Sequence, residues 1–265
     1  MDRVNYRNTI NQSINLINGY YEKFAFQSHY HFDFHIGLIT QGEQKFHHQG
    51  QTYHIGQGQI VIMPPDELHD GQSIQDRGYQ TKVFALDPSW LTQLAEFTRP
   101  EQILSFRQTV IDNPIIFARL CRLHTLLSDG NLSQLAKDCL PLEGFEQLFN
   151  QYGYGQNAQI LPLGSQSITL LKEFILSNLD QTIRLKQLAD LCVLTPTQFQ
   201  RHFKTRMGMT PYAWLSRLRL EQAMKLLQDG HSATYVAHHV GFYDQAHFSK
   251  TFKHNFGVPP AQINL

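Results

Sequence analysis

The sequence predicts an α+β chain of two domains. The N-terminal domain is an antiparallel β-barrel or jelly-roll sandwich with appended helices. The C-terminal domain is all-α, with seven helices and two helix-turn-helix units. Three observations predict this. Short β-rich segments separated by glycine turns fill residues 20–87. From residue 88 the apolar period lengthens to that of a helix. Residues 165–265 carry one motif twice, Phe199 and Phe248 standing 49 positions apart.

The 265 residues are 42% hydrophobic and 17% charged, a globular composition with room for two ordinary domains. No apolar run approaches the roughly 18 residues that span a bilayer, and the opening residues carry no apolar leader. A cytoplasmic location away from membranes is therefore expected. Cys121, Cys139 and Cys192 are widely spaced and form no Cys-x-x-Cys pair, as expected of thiols in a reducing compartment. The zero net charge is the sum of two unequal parts. Residues 165–265 hold 11 Lys and Arg against 6 Asp and Glu, a balance of +5; the rest hold 11 against 16, or −5. A basic C-terminal part suggests a polyanionic partner.

In chain order, residues 34–40, 51–55, 59–63 and 81–86 read as strands, with turns at Gln41-Gly42-Glu43, Gln49-Gly50 and Gly56-Gln57-Gly58. Pro88-Ser89-Trp90-Leu91 opens a helix. Ile116, Leu120, Leu123 and Leu127 form the stripe of an amphipathic one, which either packs on the barrel or makes a two-fold dimer contact. Residues 132–152 read as helical, with a break expected at Pro141. The expected domains are 1–152, comprising a barrel at about 20–87 and helices at about 88–152, then a linker at 153–164 and a second domain at 165–265.

Each copy of the repeat places apolar residues at i, i+4 and i+8: Phe199, Phe203 and Met207 in one, Phe248, Phe252 and Phe256 in the other. Arg201 and Lys250 lie two positions from their flanking aromatics and so point away from the stripe. Thr195, Pro196 and Gln198 form a capping box with proline at the first helical position; Asp244 caps the second copy. Gly208 and Gly257 stand where a left-handed C-terminal residue is wanted. A short helix precedes each copy, at Leu185–Leu191 and at Ser232–His239. Thr210-Pro211 opens a long helix to about Gln228. Short helix, tight turn and second helix make a helix-turn-helix, whose second helix enters the major groove.

Residues 183–262 resemble the DNA-binding domain of the AraC/XylS family of transcriptional regulators. The resemblance is carried by Leu185-Lys186-Gln187-Leu188-Ala189, Gly208-Met209-Thr210-Pro211, Arg217-Leu218-Arg219-Leu220-Glu221-Gln222-Ala223 and the run from Val240 to Lys253. It implies reading residues Thr197, Gln198, Gln200 and Arg201 on one helix, and Gln245, Ala246, His247 and Lys250 on the other. Arg201 suits a guanine edge and Gln200 an adenine edge, while Ala246 offers a methyl group. Lys204 and Lys253 suit phosphates. The implied partners are a double-stranded operator, RNA polymerase and a second copy of the chain.

Residues 24–87 resemble the cupin-type effector domain of the same family, through His29-x-His31, Gly42, Gly58-x5-Pro64 and His69. His35 stands where the cupin pattern has Glu. On one extended strand His29, His31, Asp33 and His35 would share a face, with Tyr30, Phe32, Phe34 and Ile36 on the other. Three readings follow. In the first, His29, His31, His35 and His69 line a metal-free pocket for a small-molecule effector. In the second, they hold Zn²⁺, Ni²⁺ or Fe²⁺ and the ion is the signal. The third, a cupin metalloenzyme fused to a DNA-binding domain, is disfavoured by the missing Glu and by the lack of another acid–base pair. The expectation is a regulator and not an enzyme.

Overall fold

The computed structural model describes residues 2–9, 13–74, 78–95, 106–129, 132–153 and 162–263. The chain forms two compact units. One comprises Met1–Leu132 and Leu140–Ala158, the other Ser133–Cys139 and Gln159–Leu265. Residues 154–161 of the expected linker lie outside the described residues.

Among the described residues the first unit contains ten strands: β1 (Arg3–Asn8), β2 (Ile14–Tyr21), β3 (Phe26–His29), β4 (Phe34–Gln41), β5 (Glu43–His48), β6 (Gln51–Gly56), β7 (Gln59–Met63), β8 (His69–Ser73), β9 (Tyr79–Leu86) and β10 (Val110–Asp112). They make a six-stranded sheet in the order β1-β2-β9-β4-β7-β10 and a four-stranded sheet in the order β3-β8-β5-β6. The pairings are antiparallel throughout. Tyr21, Ile39, Phe46, Ile55, Met63 and Tyr79 come from both sheets and form one buried cluster, so the sheets pack as a sandwich. The four strands read from the sequence are present as β4, β6, β7 and β9. The sheet also begins earlier than expected: β1 and β2 start before residue 20, and β1 pairs with β2, which pairs in turn with β9.

Helix α1 (Pro88–Ala95) follows the last long strand, and α2 (Pro114–Ser128) packs on β4, β7 and β9. Asn113 caps α2, its side-chain oxygen accepting from the Ile115 and Ile116 amides at 3.2 and 3.1 Å. Ile116, Leu120, Leu123 and Leu127 are all buried within the chain. Of the two alternatives for that stripe, packing on the barrel is the one observed. Helix α3 (Gln134–Tyr152) runs unbroken through Pro141. The expected break is thus absent, but Pro141 has no N–H for the Lys137 carbonyl, and the division between the two units falls one residue before it.

The second unit adds α4 (Ser165–Leu176), α5 (Leu185–Leu191), α6 (Pro196–Met207), α7 (Pro211–Gln228), α8 (Ala233–His239), α9 (Gln245–Phe256) and a 3-10 turn at Pro260–Gln262. Six α-helices and this turn stand, among the described residues, where seven helices were expected. Each repeat buries its aromatic stripe: Phe199, Phe203, Phe248 and Phe252 are fully buried. Around the second copy they join Leu220, Ala223, Leu227, Val236, Ala237 and Val240. At roughly 1.5–3 kcal/mol for each such side chain removed from water, this burial fixes the angle between the two helices of the unit.

Candidate DNA-reading surface and effector pocket

The local signals in the repeat produce the helices they imply. The Thr195 hydroxyl accepts from the Gln198 amide, and the Gln198 side chain accepts from the Thr195 amide, both at 3.2 Å. Asp244 accepts from the His247 amide at 2.6 Å. Gly208 and Gly257 close their helices at φ 68° and 81°. In α9 the positions i, i+3, i+4 and i+7 counted from Ala246 share one face: Ala246, Ser249, Lys250 and Lys253. Ser249 is half-buried and the other three are exposed, as are Gln245 and His247. Opposite them lie Phe248 and Phe252. A stripe buried against the unit's core thus turns an ammonium-bearing face to solvent.

The equivalent face of α6 is Thr197, Gln200, Arg201 and Lys204, and it differs. Lys204 is exposed, Arg201 and Gln198 are half-buried, and Thr197 and Gln200 are buried. The Gln200 amide nitrogen donates to the Cys139 carbonyl at 3.1 Å, and its amide oxygen is buried with no hydrogen-bond partner among the described residues. Thr197 and Gln200, two of the residues expected at base edges, are buried in this structure, and the Cys139 carbonyl holds the Gln200 amide. Asp138 anchors the chain beside Cys139: one carboxylate oxygen accepts from the Leu185 amide at 3.0 Å, the other from Gln134 at 2.9 Å. From the sequence, Asp138 is not singled out and Cys139 is named only as one of three spaced thiols; the proline two residues beyond Cys139 is the one local sign.

In the first unit the four histidines do converge. They do not share one strand, because residues 30–33 turn between β3 in one sheet and β4 in the other. Tyr30 and Phe32 are consequently exposed, while Phe34 and Ile36 are buried. His29 and His69 pair across β3 and β8, with ring centroids 4.4 Å apart. His31 lies 4.9 Å from His69 and stacks on His35 at 3.5 Å. The Nδ1 atoms of His29, His31 and His69 donate to the carbonyls of Gln27, Asp33 and Glu67 at 2.8, 2.7 and 2.9 Å. A carbonyl only accepts, so each Nδ1 carries the proton and each Nε2 carries a lone pair. His31 Nε2 is buried without a partner among the described residues.

Burial holds His31 down to about 4 and His35 to about 3, each imidazole also resisting a charge on its neighbours; burial lowers His69 as well. His31, His35 and His69 are therefore uncharged at neutral pH. Neutral imidazoles suit a metal, but the His31 and His35 rings stack face to face, so their in-plane lone pairs lie in near-parallel planes and do not meet at one ion. No group of three His, Cys, Asp or Glu side chains among the described residues is disposed to hold an ion. The Zn²⁺, Ni²⁺ or Fe²⁺ reading has no support in this arrangement. His48 is buried against Glu67, whereas His47 is exposed and bonded to Asp70 at 2.7 Å.

A two-sheet sandwich followed by two helix-turn-helix units is the layout of a DNA-binding regulator with a separate N-terminal domain. Comparison with known proteins agrees. Residues 11–145 match the model of the AraC-like ligand binding domain, and residues 188–264 that of a helix-turn-helix domain. The HTH-type transcriptional regulator YbfI of Bacillus subtilis is 28% identical over 223 residues, covering 84% of this chain and 81% of YbfI. The HTH-type transcriptional activator RhaS of Yersinia pestis is 25% identical over 244 residues, covering 90% and 89%. Among solved structures, ToxT of Vibrio cholerae aligns over 95% of this chain and 97% of its own, at 15% identity and a TM-score of 0.39. The chain belongs to the AraC family of transcriptional regulators. It is a DNA-binding regulator with an N-terminal ligand-binding domain.

Proposed function

We propose that the chain reads an operator with the polar faces of α6 and α9 and is switched by a small molecule held among His29, His31, His35 and His69. The observation that carries the first half is the open face of α9, where Ala246, Lys250 and Lys253 stand exposed opposite a buried aromatic stripe. Lys253 and Lys204 supply phosphate contacts. Lys250 and Arg201 reach toward bases, with Gln245, His247 and Gln198 beside them and Thr197 and Gln200 joining when uncovered. The second half is supported by the orphaned His31 Nε2, a buried acceptor lacking a donor. A buried acceptor costs about 1–3 kcal/mol when unsatisfied, so an effector bearing a hydroxyl or amine is favoured there. His31→Leu removes that acceptor and is expected to abolish effector response without changing DNA affinity in its absence.

The regulatory role supplies the remaining partners, RNA polymerase and a second copy of the chain, and places the protein in the cytoplasm. Among the described residues no helix is long and apolar enough to cross a membrane. No enzymatic activity is assigned: the helix-turn-helix relatives are transcriptional regulators. Arg201→Ala tests base reading. It is expected to cost about 1–3 kcal/mol on a matched operator and to relax base preference at one position. Equal loss on every duplex would reassign Arg201 to the phosphate backbone.

A further inference from the structure

The two repeats are an internal control for one another. Thr197 and Ala246 are equivalent at the 49-residue offset, as are Gln200 and Ser249. Ala246 is exposed and Ser249 half-buried, whereas Thr197 and Gln200 are buried. The aromatic stripes are the same in both, so packing within the helix-turn-helix unit does not cause the difference. At Gln200 the added partner is Ser133–Cys139: these residues group with the C-terminal unit, take the Gln200 amide onto the Cys139 carbonyl, and are tied to the start of α5 through Asp138.

We infer that Ser133–Cys139 is an autoinhibitory strap lying over the base-reading face of α6, so that the first helix-turn-helix unit reads DNA only when the strap lifts. This rests on the reading of α6 as a recognition helix. Two features mark the contact as releasable. The Gln200 amide is half-satisfied, its oxygen buried without a partner, which a permanent core position would not retain at no benefit. And Pro141 removes a backbone hydrogen bond from α3 next to the strap's end, so the helix is weakest where the strap would part from it. The second unit has no such cover and remains open, able to hold DNA while the first is closed.

The test uses the full chain and a duplex selected from a random library by that chain. Cys139 is fully buried, whereas Cys121 and Cys192 are half-buried and serve as internal references for alkylation by iodoacetamide, read by mass spectrometry. In the free protein Cys139 reacts slowly. When the duplex is footprinted over both reading segments, its labelling is expected to rise about tenfold or more relative to the two references. Asp138→Ala removes the tether and places the best helix former in α3. It is expected to speed Cys139 labelling in the free chain and to tighten duplex binding about tenfold, since a competent state that is rarely populated weakens apparent affinity by that fraction. Cys139 staying protected while both segments are footprinted overturns the strap. So does an Asp138→Ala chain with unchanged labelling and affinity. Lys250→Ala separates the two readings: if it leaves duplex binding intact, the DNA-reading assignment itself fails, whereas weakened binding beside an inert Asp138→Ala removes the strap alone.

Discussion

His124 gives the sharpest test of how the sensor unit is held together. It lies in α2, 1% exposed, with its ring edge-on to Phe84 at 5.1 Å and its Nε2 without a hydrogen-bond partner among the described residues. Burial holds its pKa down to about 4, and the nearby Lys82 ammonium pushes the same way. In the unfolded chain a histidine takes its proton at about 6.5. Below that pH the unfolded state binds a proton that the folded state refuses until about pH 4. The stability His124 contributes is therefore complete above 6.5 and lost as pH falls through this window. Working the two titrations between pH 7 and pH 5 gives a loss of about 2 kcal/mol from this one side chain. The chain has two tryptophans, Trp90 in the first unit and Trp214 in the second. In a Trp214→Phe background, urea unfolding followed by Trp90 fluorescence reports on the sensor unit. His31 and His35 add slope of the same sign to parent and variant alike. His124→Leu is expected to lose about 2 kcal/mol less than its parent between those pH values. An identical loss in both proteins refutes the assignment of the pH dependence to His124.

Two further outcomes follow from the C-terminal unit. Gly241 sits at φ 80°, and a Cβ there would fall 2.1 Å from the Leu179 carbonyl oxygen and 2.6 Å from Arg219 Nη2, which itself donates to that oxygen at 2.8 Å. Gly241→Ala is expected to lower the melting temperature of this unit by at least about 4 °C, from a strain of about 1–3 kcal/mol; an unchanged melt followed by Trp214 would contradict the geometry. Phe252 is fully buried among Leu220, Leu227 and Val236, so Phe252→Ala is expected to cost about 3–5 kcal/mol and Phe252→Leu distinctly less, read by chemical denaturation with far-ultraviolet circular dichroism.

The C-terminal unit was legible because its signals are local. Thr195, Gln198, Asp244, Gly208 and Gly257 each act within one helical turn, and the caps and left-handed ends formed as their chemistry dictates. The aromatic stripes needed only the helical period. The sensor was legible in its glycine-bounded strands but not in β1, β2 or β8, which carry polar residues on exposed faces and are strands because of what they pair with. The histidine cluster was named from spacing, yet its cause differs. The four rings meet across two sheets and a turn, not along one strand, and that alters their mutual orientation enough to disfavour an ion. The cover over Thr197 and Gln200 was invisible because it depends on residues about sixty positions away. Helical periodicity places Gln200 on the reading face but says nothing of what lies upon it.

The most direct test of the central claim, that two repeated helices read neighbouring stretches of one duplex, is selection of binding sites from random DNA by the full chain and by Lys250→Ala. The account predicts two preferred segments centred about 10 base pairs apart, one helical turn. The Lys250→Ala chain should lose preference in one segment while keeping the other. A single segment, or two that both survive Lys250→Ala unchanged, would contradict it.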